Sequence, residues 1–145
     1  MRKRVALALV LLGILNLQVA NAQVIKGDSI IESLSVESGD PVRGRAIVTS
    51  RQTGLCLLCH SGPFPEERFQ GNLAPELKAS VARLNAPQLR ARIVNAAHFN
   101  PQTIMPSYYQ TSNLNRVATK FAGQTILSGQ EIEDVIAFLV TLNNE

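Results

Sequence analysis

Both cysteines of this chain stand in one short stretch, 54–62 (GLCLLCHSG), three positions apart and with His60 directly after the second. Four chemistries use such a group: a zinc half-site, a redox dithiol, a small disulfide, or covalent attachment of a haem. A structural zinc ion needs four ligands from Cys, His or carboxylate. Cys56, Cys59 and His60 offer three, adjacent Cys59 and His60 do not easily serve one tetrahedral ion, and the chain has no second cysteine pair. A thioredoxin-like dithiol expects a βαβ setting, which the helical pattern described below does not provide. A bare disulfide leaves His60 without a purpose. Haem attachment uses every residue of the pentad. The thiols of Cys56 and Cys59 add to the porphyrin vinyl groups, whose separation matches a three-residue step on a helical turn. His60 then falls beneath the iron as an axial ligand.

The second axial position decides whether such an iron reacts or only conducts. Apart from Met1, the sole methionine is Met105, within 100–106 (NPQTIMP), 45 residues after His60. A thioether on iron favours Fe(II) and raises the potential, and Pro101 and Pro106 would stiffen a loop carrying it. The alternatives are Met105 as core filler and His98 as a second imidazole ligand. A metal-bound histidine usually donates its other N–H to a carbonyl or carboxylate, and the Pro75 carbonyl is the candidate here. Arg83, Arg90 and Arg92 are candidates for the haem propionates or, equally, plain solvated helix charges.

The chain start fits export. Arg2, Lys3 and Arg4 precede an aliphatic run over 5–19, and Ala20, Asn21 and Ala22 supply the small-x-small pattern of a cleavage site. The run is shorter than the roughly 20 residues of a membrane span, so 1–22 reads as a signal peptide cleaved after about Ala22. An oxidising, periplasmic setting suits c-type haem attachment. The three basic residues account for the whole formal charge of +3, because 23–145 carry eleven basic and eleven acidic side chains. The pI near 9.2 therefore belongs to the precursor. It supports neither nucleic-acid binding nor a charged docking face.

The elements that must position these residues read as helices. Residues 23–39 mix isolated apolar residues with serine and glycine and read as an extended arm, which could cover this domain or a partner. The domain itself is expected over 40–145. Asp40 followed by Pro41 opens a helix that runs over 41–48 and stops near Gly54. Gly44 inside it costs about 1 kcal/mol relative to alanine, which a close helix crossing would explain. A middle helix is predicted over 87–97, ended by Asn100 and Pro101. The last helix starts at a Ser128/Glu131 capping box, and Ile132, Val135, Ile136, Leu139 and Val140 form its apolar stripe. Aromatic residues are only 5% of the chain, so aliphatic side chains, or something that is not a side chain, must fill the core. The fold class is all-α around a non-protein centre.

These residues resemble a known family. C-x-x-C-H with a downstream Met-Pro and a terminal amphipathic helix resembles class I cytochrome c, in which the first and last helices cross at a glycine–aromatic contact, here Gly44 against Phe138. Ala74 stands where that family has a glycine before the proline. The stretches 54–60 (GLCLLCH), 69–75 (FQGNLAP), 89–94 (LRARIV), 100–109 (NPQTIMPSYY) and 126–135 (ILSGQEIEDV) are similar to the SoxX family, the monohaem subunits of SoxAX sulfur-oxidation cytochromes. The resemblance implies one haem c on Cys56 and Cys59 and a periplasmic heterodimer with SoxA. It also implies a share in an L-cysteine S-thiosulfotransferase that joins thiosulfate to a cysteine of the SoxYZ carrier, with electrons passed to a soluble cytochrome c. This chain by itself would then carry electrons and hold no substrate site. Two other functions use the same motif: a freestanding monohaem shuttle, and a haem-based sensor with a weak sixth ligand. The arm, with Phe64, Tyr108 and Tyr109, offers candidate partner surfaces or core packing.

Overall fold

The computed structural model describes residues 23–143. The expected signal segment 1–22 lies outside the described residues. Five helices follow the arm: α1 (Pro41–Thr49), α2 (Leu77–Val81), α3 (Ala86–Val94), α4 (Ala96–Phe99) and α5 (Gly129–Thr141). Two 3₁₀ turns, Cys56–Leu58 and Thr119–Phe121, complete the regular structure. One isolated bridge between Lys26 and Ser29 is the only β pairing among the described residues. The domain is all-α, as the periodicity predicts.

Local chemistry sets the ends of the main helices. Asp40 caps α1 through its Oδ1, which accepts from the Val42 and Arg43 N–H groups at 2.7 and 3.0 Å, with Pro41 at the first helical position. The reciprocal Ser128/Glu131 box opens α5. A similar box, Asn85 with Gln88, opens α3.

α1 crosses α5 at Gly44. A Cβ there would overlap the Asp134 carbonyl and press on the Phe138 Cβ at 2.9 Å, so only glycine lets the two backbones approach this closely. Arg43 then reaches Asp134 with both arms of its guanidinium, at 2.7 and 2.9 Å. Gly44→Ala is expected to destabilise the fold by about 2–3 kcal/mol through overpacking, seen as a lower thermal midpoint. Ala46→Ser on the exposed face of α1 should leave the midpoint nearly unchanged.

Asp134 gives this crossing a pH dependence. Hydrogen bonding from Arg43, chiefly, holds its carboxyl below the ordinary value of 3.8. The folded state therefore takes up a proton less readily than the unfolded chain. The stabilisation is complete above the unfolded value and drains as pH falls through the lower folded one. Urea midpoints measured from pH 6 to pH 3 should fall more steeply for the native sequence than for Asp134→Asn.

The middle helix is not continuous. Asn95 adopts φ −149, ψ 81 and separates α3 from α4. The carbonyls that would continue the helix are taken from elsewhere: Ile93 O accepts from Tyr108 N–H at 3.0 Å, and Val94 O from Tyr109 N–H at 3.4 Å. These tertiary hydrogen bonds override local helical preference. The short helix α2 also goes beyond the sequence reading.

The arm covers its own domain. Ile30 is 2% exposed, and its N–H donates to the Pro87 carbonyl at 3.0 Å. Leu34 N–H donates to Glu133 Oε1 at 2.9 Å. Ile31 and Val36 face solvent. Beneath the arm, Arg90 and Glu133 are 7% and 6% exposed and form a two-armed ion pair at 2.7 and 2.8 Å. The third guanidinium nitrogen donates to the Ile30 carbonyl at 2.8 Å.

Candidate functional site

The segment after α1 is bent sharply before the first cysteine. Leu55 takes the left-handed conformation (φ 61, ψ 5), which costs a non-glycine residue about 1–2 kcal/mol. Its N–H donates to Ser50 O at 3.0 Å, and the chain winds into the Cys56–Leu58 turn. Cys59 and His60 N–H groups both donate to Cys56 O, at 3.1 and 2.9 Å. The tight turn gathers both cysteines and the histidine within five residues.

A returning segment fixes the histidine. Gly71 N–H donates to Leu57 O at 2.8 Å, Ala74 N–H to Cys59 O at 3.0 Å, and Leu77 N–H to Ser61 O at 2.8 Å. Gly71 has to be glycine, because a Cβ would overlap the Leu58 carbonyl. Gln70 ties the intervening loop together: its Oε1 accepts from Gly62 N–H at 2.6 Å and its Nε2 donates to Phe64 O at 2.8 Å. This register delivers the Pro75 carbonyl to His60 Nδ1 at 2.6 Å. A carbonyl can only accept, so the proton resides on Nδ1 and Nε2 keeps its lone pair for a metal.

A second segment brings Met105. Asn100 shapes it locally, with Thr103 N–H on its carbonyl and Gln102 N–H on its Oδ1, both at 3.0 Å. Met105 is half-buried and its N–H donates to Thr103 Oγ1 at 3.1 Å. Cys56, Cys59, His60, Pro75 and Met105 all line one cavity of about 570 Å³. Tyr108 and Leu127 line it too, and Ile93 from α3 with Val135 and Leu139 from α5 supplies an aliphatic wall. No charged side chain lines this cavity among the described residues.

That setting is wrong for a redox dithiol. Burial pushes the Cys56 thiol up to about 11, opposite to the depressed values of reactive cysteines, and burial also pushes the Tyr108 hydroxyl upward. The same features fit a haem: a large apolar slot, two sulfurs at its edge, an imidazole with one free nitrogen, and a thioether from another segment.

Of the other sequence candidates, Tyr108 lines the slot and the rest stand outside it. Arg83, Arg90 and Arg92 do not line it. Arg90 is committed to Glu133 and the arm, while Arg92 lies over the Phe99 ring at 4.6 Å and donates to Gln88 O. His98 is exposed, edge-on to Phe99 at 5.0 Å, and also off the cavity. Phe64 and Tyr108 are 1% and 5% exposed, so they are core residues and not partner surfaces. Tyr109 is half-buried. Sequence reasoning missed Gln70 as a loop tie and Tyr108 as a cross-link, whose hydroxyl donates to Gly54 O at 2.6 Å. The only signal for either was its place inside a stretch already singled out.

A C-x-x-C-H turn, a histidine pinned by a proline carbonyl, a methionine on the same slot, and first and last helices crossing at a glycine define the class I cytochrome c fold. No protein-family model and no curated protein matches the chain. Among solved structures it is similar to a chain in the crystal structure of SoxXA from P. pantotrophus, with a TM-score of 0.74 and 34% sequence identity. The match covers 83% of this chain and 93% of that one. The chain belongs to the SoxX family of cytochromes.

Proposed function

We propose that this chain is the monohaem c-type cytochrome subunit of a periplasmic SoxXA complex, exported by a signal peptide over 1–22 and paired with a SoxA subunit. The carrying observation is the convergence of Cys56, Cys59, His60 and Met105 on one apolar slot, joined to the likeness with SoxXA. Cys56 and Cys59 would hold the haem c as thioethers, and His60 and Met105 would bind its iron. Bound there, the group supplies a one-electron couple. The His60 bond to Pro75 orients the imidazole and raises its basicity. The aliphatic wall from Ile93, Leu127, Val135 and Leu139 keeps water from the slot.

With both cysteines attached to the haem no thiol would remain to carry sulfur, and with His60 and Met105 both on the iron the chain would offer no position there for substrate. The chain thus accepts electrons inside a complex whose partner carries the thiosulfotransferase chemistry on SoxYZ, and it hands them to a soluble cytochrome c. No described helix is long and apolar enough to cross a membrane.

Absorption spectra of the exported protein with and without dithionite, together with its mass, test this reading. Split visible bands on reduction and a mass increase of one haem are expected. Colourless protein at the mass of the bare polypeptide would overturn it. Co-expression with SoxA should yield a heterodimer; a monomer in that experiment would favour the freestanding shuttle.

A further inference from the structure

Among the described residues, 100–105 form hydrogen bonds only with one another or with α4. Asn100 N–H donates to Ala96 O, and the remaining bonds run among Asn100, Gln102, Thr103 and Met105. No polar contact in this stretch ties Met105 to another part of the chain among the described residues. The first such ties lie two and three residues further on. Ser107 Oγ donates to Asn95 Oδ1 at 3.1 Å. Tyr108 then makes four bonds in three directions. Its N–H donates to Ile93 O at 3.0 Å, and its carbonyl accepts from Ile126 and Leu127 N–H at 2.9 and 3.3 Å. Its buried hydroxyl donates to Gly54 O at 2.6 Å, two residues before Cys56.

We propose that Tyr108 is a positioning residue for the sixth iron ligand: it clamps the segment bearing Met105 to the turn that leads into Cys56, and so holds the Met105 sulfur in place against competing ligands. This rests on the reading of Met105 as an axial ligand. Gly54 is buried, and its carbonyl has two partners, the Tyr108 hydroxyl and the Cys56 sulfur at 3.4 Å. A thioether has no S–H to donate, so attachment leaves Tyr108 as the one remaining partner. Losing it leaves a buried carbonyl unsatisfied and weakens the joint between the two ligand-bearing segments. Met105 is three residues from the joint, so its sulfur cannot withdraw far while the ring is fixed. A competing ligand binds in proportion to the fraction of molecules in which the sulfur has withdrawn.

Imidazole titration of the ferric holoprotein, followed through loss of the sulfur-to-iron absorption band, tests the clamp. Tyr108→Phe keeps the ring and removes the bond to Gly54. It is expected to bind imidazole about tenfold more tightly than the native protein. Tyr109→Phe, which forfeits no hydrogen bond of its hydroxyl, and Ile132→Val, which trims the core outside the slot at comparable cost, should both bind as the native protein does. Equal affinity in Tyr108→Phe and native protein would overturn the clamp. So would an equal tightening in Ile132→Val, since the effect would then reflect general loosening. A native protein with no such band would overturn the Met105 assignment itself, and the clamp with it.

Discussion

Holoprotein carrying Met105→Ala is expected to lose the absorption band near the red end that reports sulfur bound to iron, and its reduction potential should fall. A thioether stabilises Fe(II) relative to Fe(III), so its removal favours the oxidised form. Axial ligation spans a range of about 0.8 V across haem proteins, and a drop on the order of 0.2 V is expected here. The vacated position should also admit external ligands such as carbon monoxide, which the native protein should exclude. Spectroelectrochemistry and carbon monoxide difference spectra check both points. His98 offers no ready replacement, because it is exposed, packed edge-on to Phe99 and absent from the slot. Native protein without the band, whose potential is unchanged in Met105→Ala and shifted in a His98 variant, would nonetheless move the ligand assignment to that residue.

Arg90→Met is expected to cost about 3–5 kcal/mol, because it leaves the Glu133 carboxylate buried without its partner. The thermal midpoint should drop by on the order of 15 °C. The Ile30 carbonyl loses its donor in the same variant, so the arm loosens as well. Adding Glu133→Leu removes the stranded charge and should restore most of the loss, leaving a deficit of about 1–2 kcal/mol for the unpaired Leu34 N–H and Ile30 carbonyl. Thermal or urea unfolding of the two single variants and the double variant forms the cycle. A double variant no better than Arg90→Met alone would show that the arginine acts by packing and not by pairing.

Much of this site was legible before the fold. The pentad ending at His60 and the single downstream methionine are patterns of residue type and spacing. The proline carbonyl near position 75 follows from the rule that a ligating imidazole needs an acceptor. Helix α5 was equally plain, since its capping box and apolar stripe are local signals within four or five residues of each other. The break at Asn95 was not, because its cause lies outside the helix: Tyr108 and Tyr109 take the carbonyls that residues of a longer helix would have used. The roles of the arginines stayed open for a related reason. Arg90 and Arg92 differ by two positions, which on a helix is more than half a turn. One is buried against Glu133 and the other lies over Phe99, and nothing in their spacing distinguishes them.

By itself, the order of residues determined which groups this protein has available: two thiols and an imidazole in one turn, one thioether, helix caps, and a shortage of aromatic filler. Such properties are carried by neighbours in the chain and survive without a fold. Only the tertiary structure decided which distant groups meet. It set the 2.6 Å bond from His60 to Pro75, the burial of the arm over Arg90 and Glu133, and the reach of Tyr108 to Gly54. Contacts between residues 15, 43 or 54 positions apart depend on how backbones approach one another. The sequence marks a glycine such as Gly44 that permits a close approach, but it does not encode which carbonyls are claimed from afar.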